Sequence, residues 1–314
     1  MTNEGSSDKI NYLLRPAKQV ERKLIIEALQ CLGKKYKIPN YTYVGMGSRY
    51  FVDFQMFHKF LGIKDMISFE MEEDKIDRFD FNLPYVFIDL QPGKSTVILP
   101  TIDWSKDLII WLDYDQKISP YMFDDIDIIC DNAKPGTIFL LTIDAGPERF
   151  DGRFSKDEIE RLEDRLKNLK ESIHPNYPQG IQKKDITKKQ FPELLRRIIH
   201  EKIRDGLAIR DLRFFQLFNF VYEDSCQMYT FGCIFEKSIS KIEDTGLYDF
   251  DYISKDERII KIKLPILTPH EKMHFDKLIP GIEKNLKKFE MDTEKILAYE
   301  KYHRYYPQYF EAYI

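Results

Sequence analysis

The chain has 314 residues, and 43% hydrophobic against 32% charged residues is the balance of a globular protein with a sizeable core and a solvated surface. A net charge of −4 supplies no whole-molecule field for nucleic acid. The longest apolar runs, such as Thr137–Ile143, fall far short of the roughly 20 residues that span a bilayer; with no basic-then-apolar leader at the start, a cytoplasmic protein without a membrane role is expected.

Residues 1–40 form an N-terminal helical segment. Small polar residues dominate Met1 to Asp8, where disorder is expected, and a helix begins near Pro16. It carries Val20, Leu24, Ala28 and Cys31 at helical spacing until Gly33 ends it.

Residues 41–150 alternate short apolar strands with helical patterns, the signature of βαβ units and a parallel sheet. The strands predicted are Tyr41–Val44, Met66–Phe69, Val86–Leu90, Leu108–Leu112 and Thr137–Ile143. Between the first two, Phe51, Phe54, Phe57 and Leu61 follow helical spacing and Gly62 closes the segment.

Residues 151–212 break this rhythm and read as a helical insertion covering one end of the sheet. Ser155 and Glu158 stand in capping-box spacing at its start, and the run His174 to Gly180 is rich in turn residues. Residues 213–237 hold two aromatic-rich strands, Phe214–Tyr222 and Met228–Glu236, which should pair as a hairpin completing the sheet. Residues 238–314 form a C-terminal helical, Tyr-rich region from Thr268 onward. Tyr299, Tyr302, Tyr305, Tyr306, Tyr309 and Tyr313 suit a docked tail or a dimer contact better than base stacking.

Cys31, Cys130, Cys226 and Cys233 lie far apart in apolar patterns, and the six histidines form no ligand-like spacing with them. Buried free thiols are expected, with no metal site. His58 and His200 sit within helical patterns and read as structural.

Candidate chemistry gathers at strand ends. Tyr43-Val-Gly45-Met-Gly47-Ser48 follows the first strand and precedes a helix, where glycines let the backbone turn tightly beside a ligand. Glu70 ends the second strand, 23 residues beyond Gly47, at the place where a Rossmann protein sets an acid on the ribose hydroxyls. Gly93-Lys94-Ser95 follows the third strand and leads into a short helix bent at Pro100. Trp111-Leu-Asp113-Tyr114-Asp115 ends the fourth, where carboxylates can orient a substrate, accept a proton or bind a metal.

In order and spacing these four segments resemble the first motifs of class I S-adenosylmethionine-dependent methyltransferases, closest in spacing to the O-methyltransferase branch. The resemblance covers roughly Tyr41 to Ala145, with the pair Phe214–Glu236 similar to the reversed last strands of that fold. It implies a Rossmann-like α/β sheet, mostly parallel with an antiparallel last hairpin, here with an α-helical insertion. It also implies S-adenosyl-L-methionine as cofactor: Gly45 and Gly47 with Ser48 under its methionine part, Glu70 on the ribose, Lys94 and Ser95 near the adenine. Asp113 would face the transfer centre with Asp115 beside it, as the catalytic candidates, and the acceptor would be an unidentified oxygen or nitrogen. Two positions depart from the pattern: Tyr43 replaces an acid two residues before the first glycine, and Arg49 occupies the third glycine position.

Those departures motivate an alternative, a catalytically inactive Rossmann subunit that binds or regulates partners in a multi-protein system. A nicotinamide-dependent reductase is disfavoured by the missing third glycine and the lack of a suitably placed Tyr-x-x-x-Lys. Asn82-Leu-Pro84-Tyr85 precedes the third strand instead of following the fourth, so it does not mark an amino-directed nucleic-acid methyltransferase. Charge is uneven: residues 65–149 carry 18 acids against 7 bases, and residues 167–210 carry 11 bases against 5 acids. The Lys183–Arg197 stretch therefore has the charge to contact nucleic acid, although such runs usually form a solvated face. A homodimer or a partner protein is the other association expected.

Overall fold

The computed structural model describes residues 15–146, 158–285 and 289–307. Its elements run α1 (Pro16–Leu32), β1 (Thr42–Gly45), α2 (Val52–Leu61), β2 (Asp65–Glu70), α3 (Ile76–Phe81), β3 (Ile88–Pro92), α4 (Ser95–Ile98), β4 (Leu108–Asp113), α5 (Pro120–Asn132) and β5 (Ile138–Asp144). There follow α6 (Glu158–Ile173), α7 (Phe191–Gly206), β6 (Arg213–Glu223), β7 (Gln227–Glu236), β8 (Ile260–Ile262), α8 (Pro269–Asp276) and α9 (Thr293–Tyr302).

One sheet of eight strands runs in the order β3-β2-β1-β4-β5-β7-β6-β8. The first five are parallel, β7 is antiparallel to both β5 and β6, and β8 lies parallel to β6. Chain order reverses between β1 and β4, which leaves a crevice at their carboxyl ends. This is a Rossmann-like, mostly parallel sheet with the antiparallel last hairpin that the resemblance implies.

Both faces are covered, so the strands are apolar almost throughout. On β4, Ile109 and Trp111 face a layer made by α1 and α2, including Leu24, Ala28, Phe54 and Phe57. Leu108, Ile110 and Leu112 face the other layer, where α5 contributes Phe123 and Ile126. α1 is fixed at its start from a distance: Asp224, in the turn between β6 and β7, accepts the backbone N–H groups of Ala17 at 2.9 Å and Lys18 at 3.0 Å. That carboxylate satisfies donors that the helix cannot satisfy itself.

Three expectations change. The stretch 151–212 is not simply an insertion over one end of the sheet, because α7 packs Leu195, Ile198, Ile199 and Ile203 on the sheet face beside α5. It is the crossover helix that lets the chain pass from β5 to β6. The region 238–314 is not wholly helical, since β8 adds an edge strand that three residues made too short to read. β3 begins at Ile88, two residues after the predicted Val86, which is exposed.

Cys31, Cys130 and Cys233 are buried free thiols and Cys226 is half-buried. Tyr299, Tyr302 and Tyr306 are buried, and Tyr305 donates to Glu27 of α1 at 2.6 Å, so the tail docks by packing. Met1–Asp8, Ser155, Tyr309 and Tyr313 lie outside the described residues. Among the described residues no helix is long and apolar enough to cross a membrane.

The hairpin meets the sheet at Gly232, where an added Cβ would lie 2.5 Å from the Phe218 ring and 2.8 Å from Leu140. Gly232→Val is expected to cost about 1–3 kcal/mol through overpacking, read as a lower urea midpoint. An unchanged midpoint would contradict this packing.

Candidate active site

The turn after β1 is shaped from below. A Cβ on Gly45 would stand 2.6 Å from the Tyr43 hydroxyl and 3.4 Å from the Trp111 carbonyl, and one on Gly47 would strike the Phe51 ring at 2.4 Å. Both glycines are therefore demanded by packing. Gly47 also lines the cleft at the strand ends; Gly45 is not among its lining residues. On either side of Arg49, which occupies the third glycine position, Ser48 (φ 50°) and Phe51 (φ 45°) both take left-handed conformations. Tyr43, standing where an acid was expected, is buried under the sheet between Phe54 and Phe57, and burial pushes its hydroxyl well above its ordinary pKa.

The cleft has a volume of about 670 Å³ and collects Gly47, Ser48, Glu70, Lys94, Ser95, Asp113 and Asp115. Seven of the eight sequence candidates are thus brought together. The Ser48 N–H donates to the Glu70 carboxylate at 2.7 Å, and the Gly93 N–H donates to the Glu70 carbonyl at 2.9 Å, tying three strand-end loops to one residue. Burial raises the Glu70 carboxyl to about 7, because desolvation outweighs the hydrogen bonds from Ser48 and Gly47. Lys94 and Asp115 are exposed at the rim, whereas Ser95 is buried.

Behind Asp113 lies a buried charge array that sequence reading missed. Lys18 of α1 places its Nζ 2.8 Å from Asp113 and 2.8 Å from Glu21, and 4.6 Å from the centre of the Trp111 ring. Trp111 Nε1 donates to Thr142 at 3.0 Å, Thr142 contacts Thr230 at 2.8 Å, and Thr230 donates to Glu21. Burial raises the Glu21 carboxyl, with Lys18 opposing. One turn along, Arg22 donates through Nε to Asp53, at the start of α2, and both line the cleft. Arg22 is 3% exposed and its Nη1 has no hydrogen-bond partner among the described residues.

The remaining polar candidates are structural. His58 Nδ1 contacts the Ile63 carbonyl at 2.9 Å, and His200 Nε2 contacts Gln216 at 2.8 Å, with burial lowering the His200 pKa to about 4. In the basic stretch Lys183 pairs with Glu163, Lys188 with Glu223, and Arg196 with Glu193 and Glu257. Half of its six cations are so engaged, which leaves a weaker field for phosphates than the sequence suggested.

A family model described as "Putative O-methyltransferase" matches residues 10–314. The chain belongs to this family. No curated protein matches the sequence. Among solved structures, a putative methyltransferase in complex with the Haloferax volcanii Trm112 activator is 17% identical with a TM-score of 0.29; the match spans 40% of this chain and 55% of that one. Trm1 from Pyrococcus horikoshii with S-adenosyl-L-methionine is 10% identical with a TM-score of 0.48, over 77% of this chain and 60% of that one. A putative sarcosine dimethylglycine methyltransferase from Galdieria sulphuraria is 17% identical with a TM-score of 0.35, over 72% and 86%. Likenesses this loose bear on neither substrate nor partner.

In this O-methyltransferase family member the Lys18 array is a structural requirement of the strand ends. Removing the cation leaves the fully buried Glu21 without its counter-charge beside Asp113, and Lys18→Met is expected to cost about 3–5 kcal/mol. Glu21→Gln added to it should recover part of that loss. Urea unfolding of both variants checks this; a Lys18→Met protein as stable as the parent would contradict it.

Proposed function

We propose that the cleft binds S-adenosylmethionine and that the protein transfers a methyl group to an oxygen or nitrogen acceptor. The observation that carries this reading is Glu70, a carboxyl desolvated to a pKa of about 7 at the end of β2, on a cleft that also holds the buried Arg22 guanidinium, whose Nη1 has no hydrogen-bond partner among the described residues. A nucleoside with an amino-acid tail fits both: ribose hydroxyls donate to Glu70, and the tail carboxylate meets Arg22 Nη1. When bound, the cofactor supplies a methyl group on a sulfonium, open to in-line displacement. The carboxylates of Asp53, Glu72, Asp113 and Asp124 that line the same cleft favour a cationic ligand there.

Asp113 works from a fixed position, because Lys18 holds one of its oxygens. It is suited to orienting the acceptor, and alignment is the larger part of what methyl transfer needs. Asp115, exposed at the rim, stands where an acceptor would enter.

The reading as an inactive binding subunit loses its motive. Tyr43 packs beneath the sheet, and neither it nor Arg49 is among the residues lining the cleft, so the two departures do not obstruct it.

Calorimetry with S-adenosylhomocysteine tests the proposal, and heat without saturable binding would overturn it. The pH dependence has a definite sign. Ionised Glu70 accepts from the ribose hydroxyls more strongly than the protonated carboxyl, which keeps one acceptor oxygen and gains a donor, so affinity should fall as pH drops below about 7 and level off above it. Glu70→Gln should bind more weakly and flatten that slope. A slope of opposite sign would exclude the role given to Glu70.

Arg22 is tested with a matched pair. Arg22→Met should weaken S-adenosylhomocysteine by about tenfold or more, as expected for a lost charged hydrogen bond, and leave 5′-methylthioadenosine, which lacks the amino-acid tail, nearly unchanged. Equal weakening of both would reduce Arg22 to a structural residue.

A further inference from the structure

Asp125 of α5 is fully buried, one turn inside the helix and behind the cleft wall. Its Oδ2 takes two hydroxyls at once: Ser95 Oγ donates at 2.5 Å, and Tyr114 Oη donates as well. Its Oδ1 has no partner among the described residues. Ser95 and Tyr114 both line the cleft, on the loops that follow β3 and β4.

Counting protons fixes what these two hydroxyls offer a ligand. Each has a single hydrogen, and an ionised carboxylate can only accept, so both hydrogens are spent on Asp125. The two oxygens stand 3.5 Å apart with no proton left to share between them. What remains available to the cleft is lone pairs. A neutral pair of hydroxyls without Asp125 would be free to turn and would serve donors and acceptors alike.

We infer that Asp125 sets Ser95 and Tyr114 as an obligate acceptor pair that reads the exocyclic amino group of a 6-aminopurine and rejects a 6-oxopurine. The inference rests on the proposed cofactor reading, and it assigns how the base is recognised. Glu70 places the ribose at the end of β2. The base end of the nucleoside then reaches the Gly93–Ser95 loop, which is tied to Glu70 by the Gly93 N–H. An amino group there donates to the waiting lone pairs. A carbonyl oxygen in its place sets lone pair against lone pair inside a cavity wall, and the buried acceptors go unpaired. Asp125 touches no ligand; it is a positioning residue acting through the two hydroxyls. Burial holds its carboxyl at about 6, so it is mostly ionised near neutral pH.

The test compares S-adenosylhomocysteine with its inosine analogue, S-inosylhomocysteine, by calorimetry at pH 7.5. The parent protein should bind the adenosine compound about tenfold or more tightly, the scale of one unpaired buried polar group. Asp125→Asn supplies an amide that can donate, which frees the hydroxyl protons to turn toward the cleft. The preference should then shrink severalfold, mainly through better binding of the inosine compound, a gain that mere damage to the fold does not produce. Tyr114→Phe, which removes one acceptor and keeps the ring, should narrow the ratio through weaker adenosine binding. Equal affinities of the parent for the two compounds would overturn this inference and leave the cofactor reading intact. Binding of neither would remove both.

Discussion

The ammonium of Lys18 between Asp113 and Glu21 is the contact on which the working end of the sheet depends. A lysine 1% exposed is stable only if carboxylates surround it, and a buried Glu21 is tolerable only beside that lysine. The array joins α1 to β4 through Asp113 and to β7 through Thr230, and the Thr142–Trp111 bonds carry it across β5. The N-terminal helix is thereby part of the cleft's floor. Without it, Asp113 would lose its anchor and Asp53 its guanidinium.

Burial and compensation are balanced differently at each carboxylate of this region. At Glu70 desolvation exceeds two backbone hydrogen bonds, which leaves a carboxyl near 7 that a ribose diol can satisfy. At Asp125 two hydroxyls offset part of the same penalty and hold it near 6. At Glu21 burial still dominates despite Lys18. Of the three, only Glu70 lines the cleft, and there a bound molecule can supply the remainder.

Much of the fold was legible because parallel βαβ units write their signals locally. Apolar runs mark the strands, and Gly47, Glu70, Lys94, Ser95 and Asp113 each sit at or just beyond the end of one, so their convergence follows from topology. The residues that escaped are those whose meaning lies far away in the chain. Lys18, Glu21 and Arg22 carry no signal in the sequence, since only the folded sheet brings Asp113 and Asp53 to them. Tyr43 read as a defect in a ligand motif, whereas its phenol fills space under Gly45. Asp125 was one acid among several on α5, and its partners Ser95 and Tyr114 lie on two other loops. The role of α7 as a crossover was hidden because the turn-rich run before it imitates a domain boundary.

A crystal structure of the protein with S-adenosylhomocysteine tests the central claim most directly. The expected result has the ribose hydroxyls on the Glu70 carboxylate and the tail carboxylate on Arg22, with the sulfur on the side of Asp113. A ligand bound elsewhere, or one in this cleft with Glu70 turned away from the sugar, would contradict the account.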